Sequence, residues 1–284
     1  MAPCPSCVPK PNFPRRPLRI CSRTWSPRQE SMMSETNRLK WVDACSLVAR
    51  RELRAYFDSP IAYIYAAVFL ALSGSAFMNA FFLEAIVDMS AWFERLPYLL
   101  IVFAPAMTMR SWAEEHAQGT IEVLLTLPLR VTHVIVGKYL AAVSFFAIVI
   151  AGSLPIVAML LRLGPADVGT IVAGYLGALF LGAFFLAFGQ FVSSLTHNQI
   201  VAFVLAALLA SVFVFTGHHE VVEILDGLAP GWQLGSWLSG SVSVIPHYNS
   251  FVRGIVGFGP ILYFVSMIGF FLWLTQIGLR RIRL

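Results

Sequence analysis

Residues that could carry out chemistry are few in this sequence, and their spacing is incomplete. Cys4 and Cys7 have the C-x-x-C spacing of metal and redox sites, but no second pair and no strand–helix context accompanies them. His218, His219 and Glu220 stand together, where the start of a wet loop explains them more simply than a metal cluster does. The sequence contains no H-E-x-x-H and no G-x-S-x-G motif. We therefore expect neither enzymatic activity nor a metal site in this chain.

Signals for nucleotide binding are also fragmentary. Gly137-Lys138 lacks the spaced upstream glycine and the following Ser or Thr of a phosphate-binding loop. Leu238-Ser239-Gly240 is only part of an ATPase signature. We expect the chain itself to bind neither ATP nor another cofactor.

The most informative segment is a loop of mixed charge at 110–133, between two hydrophobic stretches. Glu114 and Glu115 precede a break at Gly119-Thr120, after which Thr120 can cap a short helix that stops before a proline. The apolar stripe of that helix would be Ile121, Leu124 and Leu125. A helix lying on lipid is the alternative, but helices on the inner leaflet usually carry Lys or Arg, whereas this loop is acidic. The loop therefore predicts a surface that binds a partner.

Composition indicates what must hold this loop. Of the 284 residues, 58% are hydrophobic and only 12% are charged, and the mean hydropathy is +0.74. In soluble domains, roughly 45–50% of the residues are hydrophobic and about 25% are charged. Because a water-soluble surface cannot be built from this composition, we expect an all-α integral membrane protein.

Six hydrophobic stretches predict six transmembrane helices. The predicted spans are about 60–83, 92–109, 134–161, 168–195, 199–217 and 255–279. The second has the weakest pattern, because Pro105 interrupts it. No carboxylate, Lys or Arg is predicted at bilayer depth, which disfavours a proton- or sodium-coupled carrier.

The distribution of Lys and Arg predicts that both termini are cytoplasmic. On that side lie Arg38, Lys40, Arg50, Arg51, Arg54, Arg110, Arg130, Lys138, Arg280, Arg281 and Arg283, against Arg95, Arg162 and Arg253 outside. The net charge of +5 thus reflects membrane orientation and a basic N-terminal tail rather than a nucleic-acid partner.

Two segments flank the first span on its N-terminal side. Residues 1–38 are rich in Pro and basic residues, so we expect a disordered extension, with Met32 and Met33 as alternative first residues. From Leu39 to Phe57, apolar residues recur on one side of a helix: Val42, Cys45, Ala49, Leu53 and Tyr56. This pattern predicts an interfacial amphipathic helix on the inner leaflet, with a solvated linker as the alternative.

The segment at 218–254 precedes the last span. Trp232, Trp237 and Tyr248 favour the outer headgroup level, so we expect re-entrant outer helices rather than a plain loop. In the fourth span, Gly169, Ala173 and Gly177, and likewise Gly174, Ala178 and Gly182, form rows that allow close helix packing. The polar Gln190, Asn198, Gln199 and Gln276 could bond across helices or face a lumen, and the sequence leaves both open.

Several motifs together resemble a known family. Three segments of this chain resemble the hallmark of ABC-2 type transporter permeases. They are Arg110-Ser111-Trp112-Ala113-Glu114-Glu115, Gly119-Thr120-Ile121-Glu122-x-Leu124-Leu125-Thr126-x-Pro128 and Val136-Gly137-Lys138-Tyr139. Further segments resemble the gliding-motility-associated and copper-enzyme-maturation subgroup: Glu52 with Ser59-Pro60-Ile61-Ala62-Tyr63, Ser193-Ser194-Leu195-Thr196-x-Asn198-Gln199, and Arg253-Gly254. The likeness covers about residues 39–284.

The resemblance implies the membrane subunit of an ATP-binding-cassette transporter, most simply an exporter, in the inner (plasma) membrane. The ATPase, a separate chain, would bind ATP and Mg and would seat the loop at 110–133 as a coupling helix. The implied coupling residues are Arg110, Glu114, Glu115, Gly119, Thr120, Glu122, Leu125, Thr126 and Pro128. A second permease copy, in a homodimer or heterodimer, and an accessory periplasmic or membrane subunit are further implied partners. A non-transporting anchor or motility subunit remains the alternative, and a secondary carrier is a less favoured one.

Overall fold

Helices make up the whole of the regular structure described here. The computed structural model describes residues 41–84, 88–119, 131–163, 167–228, 240 and 243–281, and these form helices and turns without a β-strand. The helices are α1 (Trp41–Asp58), α2 (Pro60–Glu84), α3 (Ser90–Thr108), α4 (Arg110–Gln118), α5 (Val131–Ala151), α6 (Leu154–Leu163), α7 (Val168–Ser194), α8 (Gln199–Phe215), α9 (His219–Leu228), α10 (Ile245–Val252) and α11 (Phe258–Arg281). The all-α prediction is confirmed. The predicted extension at 1–38, with its Cys4 and Cys7, lies outside the described residues.

Four stretches of the described chain are long and apolar enough to cross a membrane. They are Pro60–Leu83, Val131–Leu163, Val168–Ser194 and Phe258–Leu279. The second of them comprises α5 and α6, which are separated by a turn at Gly152 and Ser153. Helices α3 and α8 occupy the positions of the second and fifth predicted spans, but α8 has 17 residues and α3 carries Glu94 and Arg95 near its start. The count of six spans stays a prediction.

Helix α7 lies at the centre of the bundle. In its most apolar window 72% of the residues are buried, against 17–33% in the other three stretches. A Cβ atom at Gly174 would collide with the ring of Phe93, and one at Gly182 with the ring of Phe146. The small residues of α7 therefore accept aromatic rings from α3 and α5, which confirms the close packing predicted from their spacing.

Helix α1 packs against α5 with most of its apolar side. Gly137 makes this approach possible, since a Cβ there would lie 2.7 Å from the Val48 side chain and 3.1 Å from the Cys45 carbonyl oxygen. Tyr56, near the end of α1, stacks on Phe145 of α5 with ring centroids 5.3 Å apart. The predicted amphipathic helix is present, but its stripe covers protein where we had expected lipid. The position of α1 at the membrane interface stays a prediction.

The segment before the last span contains the two short helices α9 and α10. Tyr248 of α10 is fully buried within the protein, and its hydroxyl donates a hydrogen bond to the Phe93 carbonyl (2.9 Å). Phe251 of α10 packs against Gly177 of α7. Trp232 and Trp237 lie outside the described residues, and the re-entrant depth of this segment stays a prediction.

Candidate functional site

Helix α4 is fastened to α7 where it begins. The backbone N–H groups of Trp112 and Ala113 both donate to the Ser193 hydroxyl oxygen, at 3.1 and 3.2 Å, and that hydroxyl donates to the Met109 carbonyl at 3.1 Å. The N–H groups of a first helical turn have no acceptor within their own helix. Ser193 therefore supplies from another helix the acceptor that α4 lacks.

The apolar side of α4 is buried against α5 and α11. Trp112 is fully buried and packs with Val134, Ile135 and Leu279. Next to this cluster, the Gln190 amide of α7 donates to the Ile135 carbonyl (3.2 Å), so this polar residue bonds across helices. Helix α4 thus has fixed contacts with three other helices of the bundle.

Lys138 of α5 is the electrostatic centre of this region. Its ammonium group lies 2.7 Å from a carboxylate oxygen of Glu115 in α4 and 3.6 Å from one of Glu52 in α1. It also donates a hydrogen bond to the Ser111 carbonyl (3.0 Å) and lies 5.1 Å from the centre of the Trp112 ring. The side chain is only 7% exposed. One cation therefore links α1, α4 and α5, and we call Lys138, Glu52 and Glu115 the lysine cluster.

Sequence reasoning missed the role of Lys138. We counted it among the loop charges on the cytoplasmic side, whereas the structure places it within α5 and buried. The sequence feature that pointed to this role is Gly137, which directly precedes Lys138. Because Gly137 has no side chain, α1 can approach α5 closely enough for Glu52 to reach Lys138. Glu52, likewise, was noted only as part of a family motif.

The structure describes four of the nine predicted coupling residues. Arg110 is exposed at the start of α4, and Glu114 accepts a hydrogen bond from the Gln118 amide (3.2 Å). Glu115 points into the lysine cluster, and Gly119 ends α4 in the left-handed conformation with φ 67°. The others lie outside the described residues, together with the predicted helix that Thr120 would cap: Thr120, Glu122, Leu125, Thr126 and Pro128.

Two histidines meet at the other side of α4. The rings of His116 and His197 lie edge to face with centroids 4.8 Å apart. Burial, and then the nearby His197, lower the pKa of His116 below its ordinary value. Asn198, the next residue, caps α8 by accepting a hydrogen bond from the Ile200 N–H (2.9 Å). His116 thus belongs to the contact between α4 and the turn that joins α7 to α8.

A cavity of about 620 Å³ lies beside the lysine cluster. Its lining comes from α1 to α5 and the residues that join them: Arg51, Glu52, Ala55, Tyr56, Ser59, Ile61, Ala62, Tyr65, Ala106, Met107, Met109, Arg110, Ser111, Glu114, Glu115, Gln118, Lys138 and Phe145. We call it the α1–α4 cavity. Its lining combines charged groups with apolar and aromatic side chains.

At the opposite end of the bundle, the histidine considered for a metal cluster has a protein partner. The Tyr98 hydroxyl and the Nε2 atom of His218 lie 2.6 Å apart. Among the residues that the structure describes, no group of three His, Cys, Asp or Glu side chains could hold a metal ion.

Comparison with known families decides the assignment. Residues 68–268, most of the chain, match the family described as ABC-2 family transporter protein. The chain belongs to the ABC-2 transporter family. It is thus a multi-pass integral membrane protein and a permease subunit of an ABC transporter, a kind of subunit that works with an ABC ATPase. No curated protein matches it.

The matched residues of this ABC-2 permease include α4, α5 and α7, whereas α1 and the end of α11 lie outside the match. An element that passes motion from a partner to the membrane must have rigid contacts with the spans. In this permease α4 has three such connections: Ser193 to α7, the Trp112 cluster to α5 and α11, and Lys138 to α1 and α5. Displacement of α4 would therefore strain all of these helices together.

Proposed function

We propose that this permease couples ATP hydrolysis in a separate ATPase chain to the movement of a substrate across the plasma membrane, most simply as an exporter. The observation that carries the proposal is the fixed attachment of α4 to the spans, within a chain of the ABC-2 family. Closure of the ATPase subunits would push the segment at 110–133. The lysine cluster and Ser193 would then transmit that displacement to α1, α5 and α7.

The proposal includes an arrangement in the membrane. Two permease subunits, identical or different, would face each other, with both termini and α4 in the cytoplasm, as the Lys and Arg distribution favours. The family motifs that begin at Glu52 and at Ser193 support the gliding-motility-associated and copper-enzyme-maturation subgroup. An accessory subunit outside the membrane would suit such a complex. ATP and Mg would be held by the partner, and this chain would have no ATPase activity of its own.

Reconstitution tests the proposal directly. The full chain is to be expressed with its partner ATPase, purified as a complex and placed in proteoliposomes. We expect ATP hydrolysis by the complex and none by the permease alone. Candidate solutes that are transported should stimulate hydrolysis, which a non-transporting anchor would not show.

Paired variants separate coupling from assembly. Gly119→Pro and Glu115→Lys alter α4, whereas Glu94→Ala alters the opposite end of the bundle and serves as the control. We expect the first two to reduce ATPase retention and transport, with the control unchanged. If both α4 variants insert and retain wild-type hydrolysis and transport, α4 is not the coupling element.

A further inference from the structure

The lining of the α1–α4 cavity contains charged groups that no described residue pairs. Lys138 is engaged by Glu52 and Glu115, but the guanidinium groups of Arg51 and Arg110 have no ion-pair partner among the described residues. Among the residues that the structure describes, the Glu114 carboxylate has only the neutral amide of Gln118 as a partner. Two cationic groups and one anionic group therefore remain available to a ligand, beside a lysine cluster whose formal charge is −1. The lining as a whole is formally neutral and carries charges of both signs.

A hydroxyl in the wall of the cavity also lacks a partner. Tyr65 lines the cavity, and its buried hydroxyl makes no hydrogen bond among the described residues. A buried hydroxyl without a partner costs free energy, and a ligand that accepts its hydrogen bond would remove that cost.

The lining that α2 contributes to the cavity continues onto the exposed surface of that helix. Ile61 lines the cavity and is 51% exposed. Ile64, Val68 and Leu72 follow it at helical spacing, and all three are exposed. The cavity thus opens onto an apolar stripe on the face of a membrane-spanning helix, where an acyl chain can lie.

We propose that the α1–α4 cavity binds an aminophospholipid, with its phosphate at Arg51 and Arg110, its ammonium at Glu114 and an acyl chain along the stripe of α2. A neutral lining with charges of both signs complements a zwitterion better than an anion. Glu114 favours a primary ammonium, which donates hydrogen bonds, over a quaternary one, which cannot. A cavity of about 620 Å³ is the size of a small-molecule site and holds a headgroup rather than a whole lipid.

Binding is to be measured on the purified full chain by native mass spectrometry in detergent. The probes are phosphatidylethanolamine, phosphatidylcholine and phosphatidylglycerol with identical palmitoyl and oleoyl chains, and glycerophosphoethanolamine as the headgroup without chains. We expect phosphatidylethanolamine to bind about tenfold more tightly than the other two lipids, which corresponds to one charge-assisted hydrogen bond. The free headgroup should not bind at the same concentration.

Variants assign the contacts. Arg110→Gln should weaken phosphatidylethanolamine binding about tenfold, and Glu114→Gln should remove its advantage over phosphatidylcholine. Arg54→Gln and Asp43→Asn, also on the exposed surface of this region but outside the lining, are the matched controls and should bind as the wild type does. Tyr65→Phe, which removes only the hydroxyl, should weaken binding without affecting the charges.

Three results would overturn the proposal: equal affinity for the three lipids, equal loss in the control variants, or binding of the free headgroup as tight as that of the lipid. Because the assay needs neither ATP nor the ATPase, a failure of lipid binding is distinct from a failure of coupling.

Discussion

Replacing Lys138 with methionine tests whether one buried cation holds α1, α4 and α5 together. Methionine keeps the length of the side chain and removes the ammonium group, so packing changes little while two carboxylates lose their shared cation. Lys138 is 7% exposed, and the Glu115 and Glu52 side chains are 21% and 26% exposed. The carboxylates can therefore recover part of their hydration when the cation is removed.

The distances set the magnitude. At 2.7 Å, with an effective dielectric constant of about 20, the gross attraction between Lys138 and Glu115 is roughly 6 kcal/mol, most of which is offset by desolvation. Breaking a fully buried pair costs about 3–5 kcal/mol, and the partial exposure here reduces our expectation to about 2–3 kcal/mol. Glu52, at 3.6 Å, should contribute less than Glu115.

A double-mutant cycle isolates the interaction. The free energy of unfolding is to be measured by SDS titration in mixed micelles for the wild type, Lys138→Met, Glu115→Gln and the double variant. We expect a coupling energy of about 1–2 kcal/mol between Lys138 and Glu115. Arg54→Gln, which alters an exposed cation outside the cavity lining with no ion-pair partner among the described residues, is the control and should change stability by less than about 0.5 kcal/mol. Additive single effects, with no coupling, would refute the lysine cluster.

Three further variants test the contacts around α1 and α4. Gly137→Leu should push α1 away from α5 and lower the unfolding free energy by about 1–3 kcal/mol or more. Gly269 has open space around it, so Gly269→Leu should not lower the unfolding free energy in this way. Equal effects of the two variants would argue against a close approach of α1 to α5 at Gly137. Ser193→Ala should speed hydrogen exchange at the Trp112 and Ala113 amides, and Ser75→Ala, whose hydroxyl donates to the Leu72 carbonyl within α2, should leave both unchanged. Because the pKa of His116 is lowered in the folded state, the unfolded state binds the proton first as pH falls. The free energy of unfolding should therefore decrease from about pH 7 toward about pH 5, and this decrease should be smaller in the His116→Asn variant. If the variant and the wild type have the same pH profile, the lowered pKa of His116 does not contribute to stability.

The parts of the structure that follow from local pattern were predictable. The charge-free run after Pro60 and the long run at 168–195 correspond closely to α2 and α7, because length and apolar composition alone decide such helices. The charge pattern located the acidic loop, and the residue types correctly placed a break at Gly119. Small residues in α7 likewise indicated the close helix contacts that Phe93 and Phe146 make.

Features that depend on contacts between distant residues were not predictable. The burial of Lys138 requires Glu52 of α1 and Ser111 and Glu115 of α4, and nothing in the residues next to Lys138 reveals these two helices. Tyrosine is a residue type typical of the membrane interface, and the sequence does not reveal that the Tyr248 hydroxyl bonds to the Phe93 carbonyl inside the bundle. The stripe of α1 would suit lipid as well as protein, and only its packing on α5 distinguishes the two.

The most direct test of the central claim is a site-specific cross-link from the end of α4 to the ATPase. A photo-reactive amino acid is placed at Gln118, which is exposed at the end of α4, and the assembled complex is irradiated in membranes. The control carries the same group at Ser90, at the start of α3 and far from α4. We predict an adduct between the permease and the ATPase from position 118 and none from position 90. Cross-linking from position 118 to lipid alone, in a complex that retains its ATPase, would contradict the assignment of α4 as the coupling element.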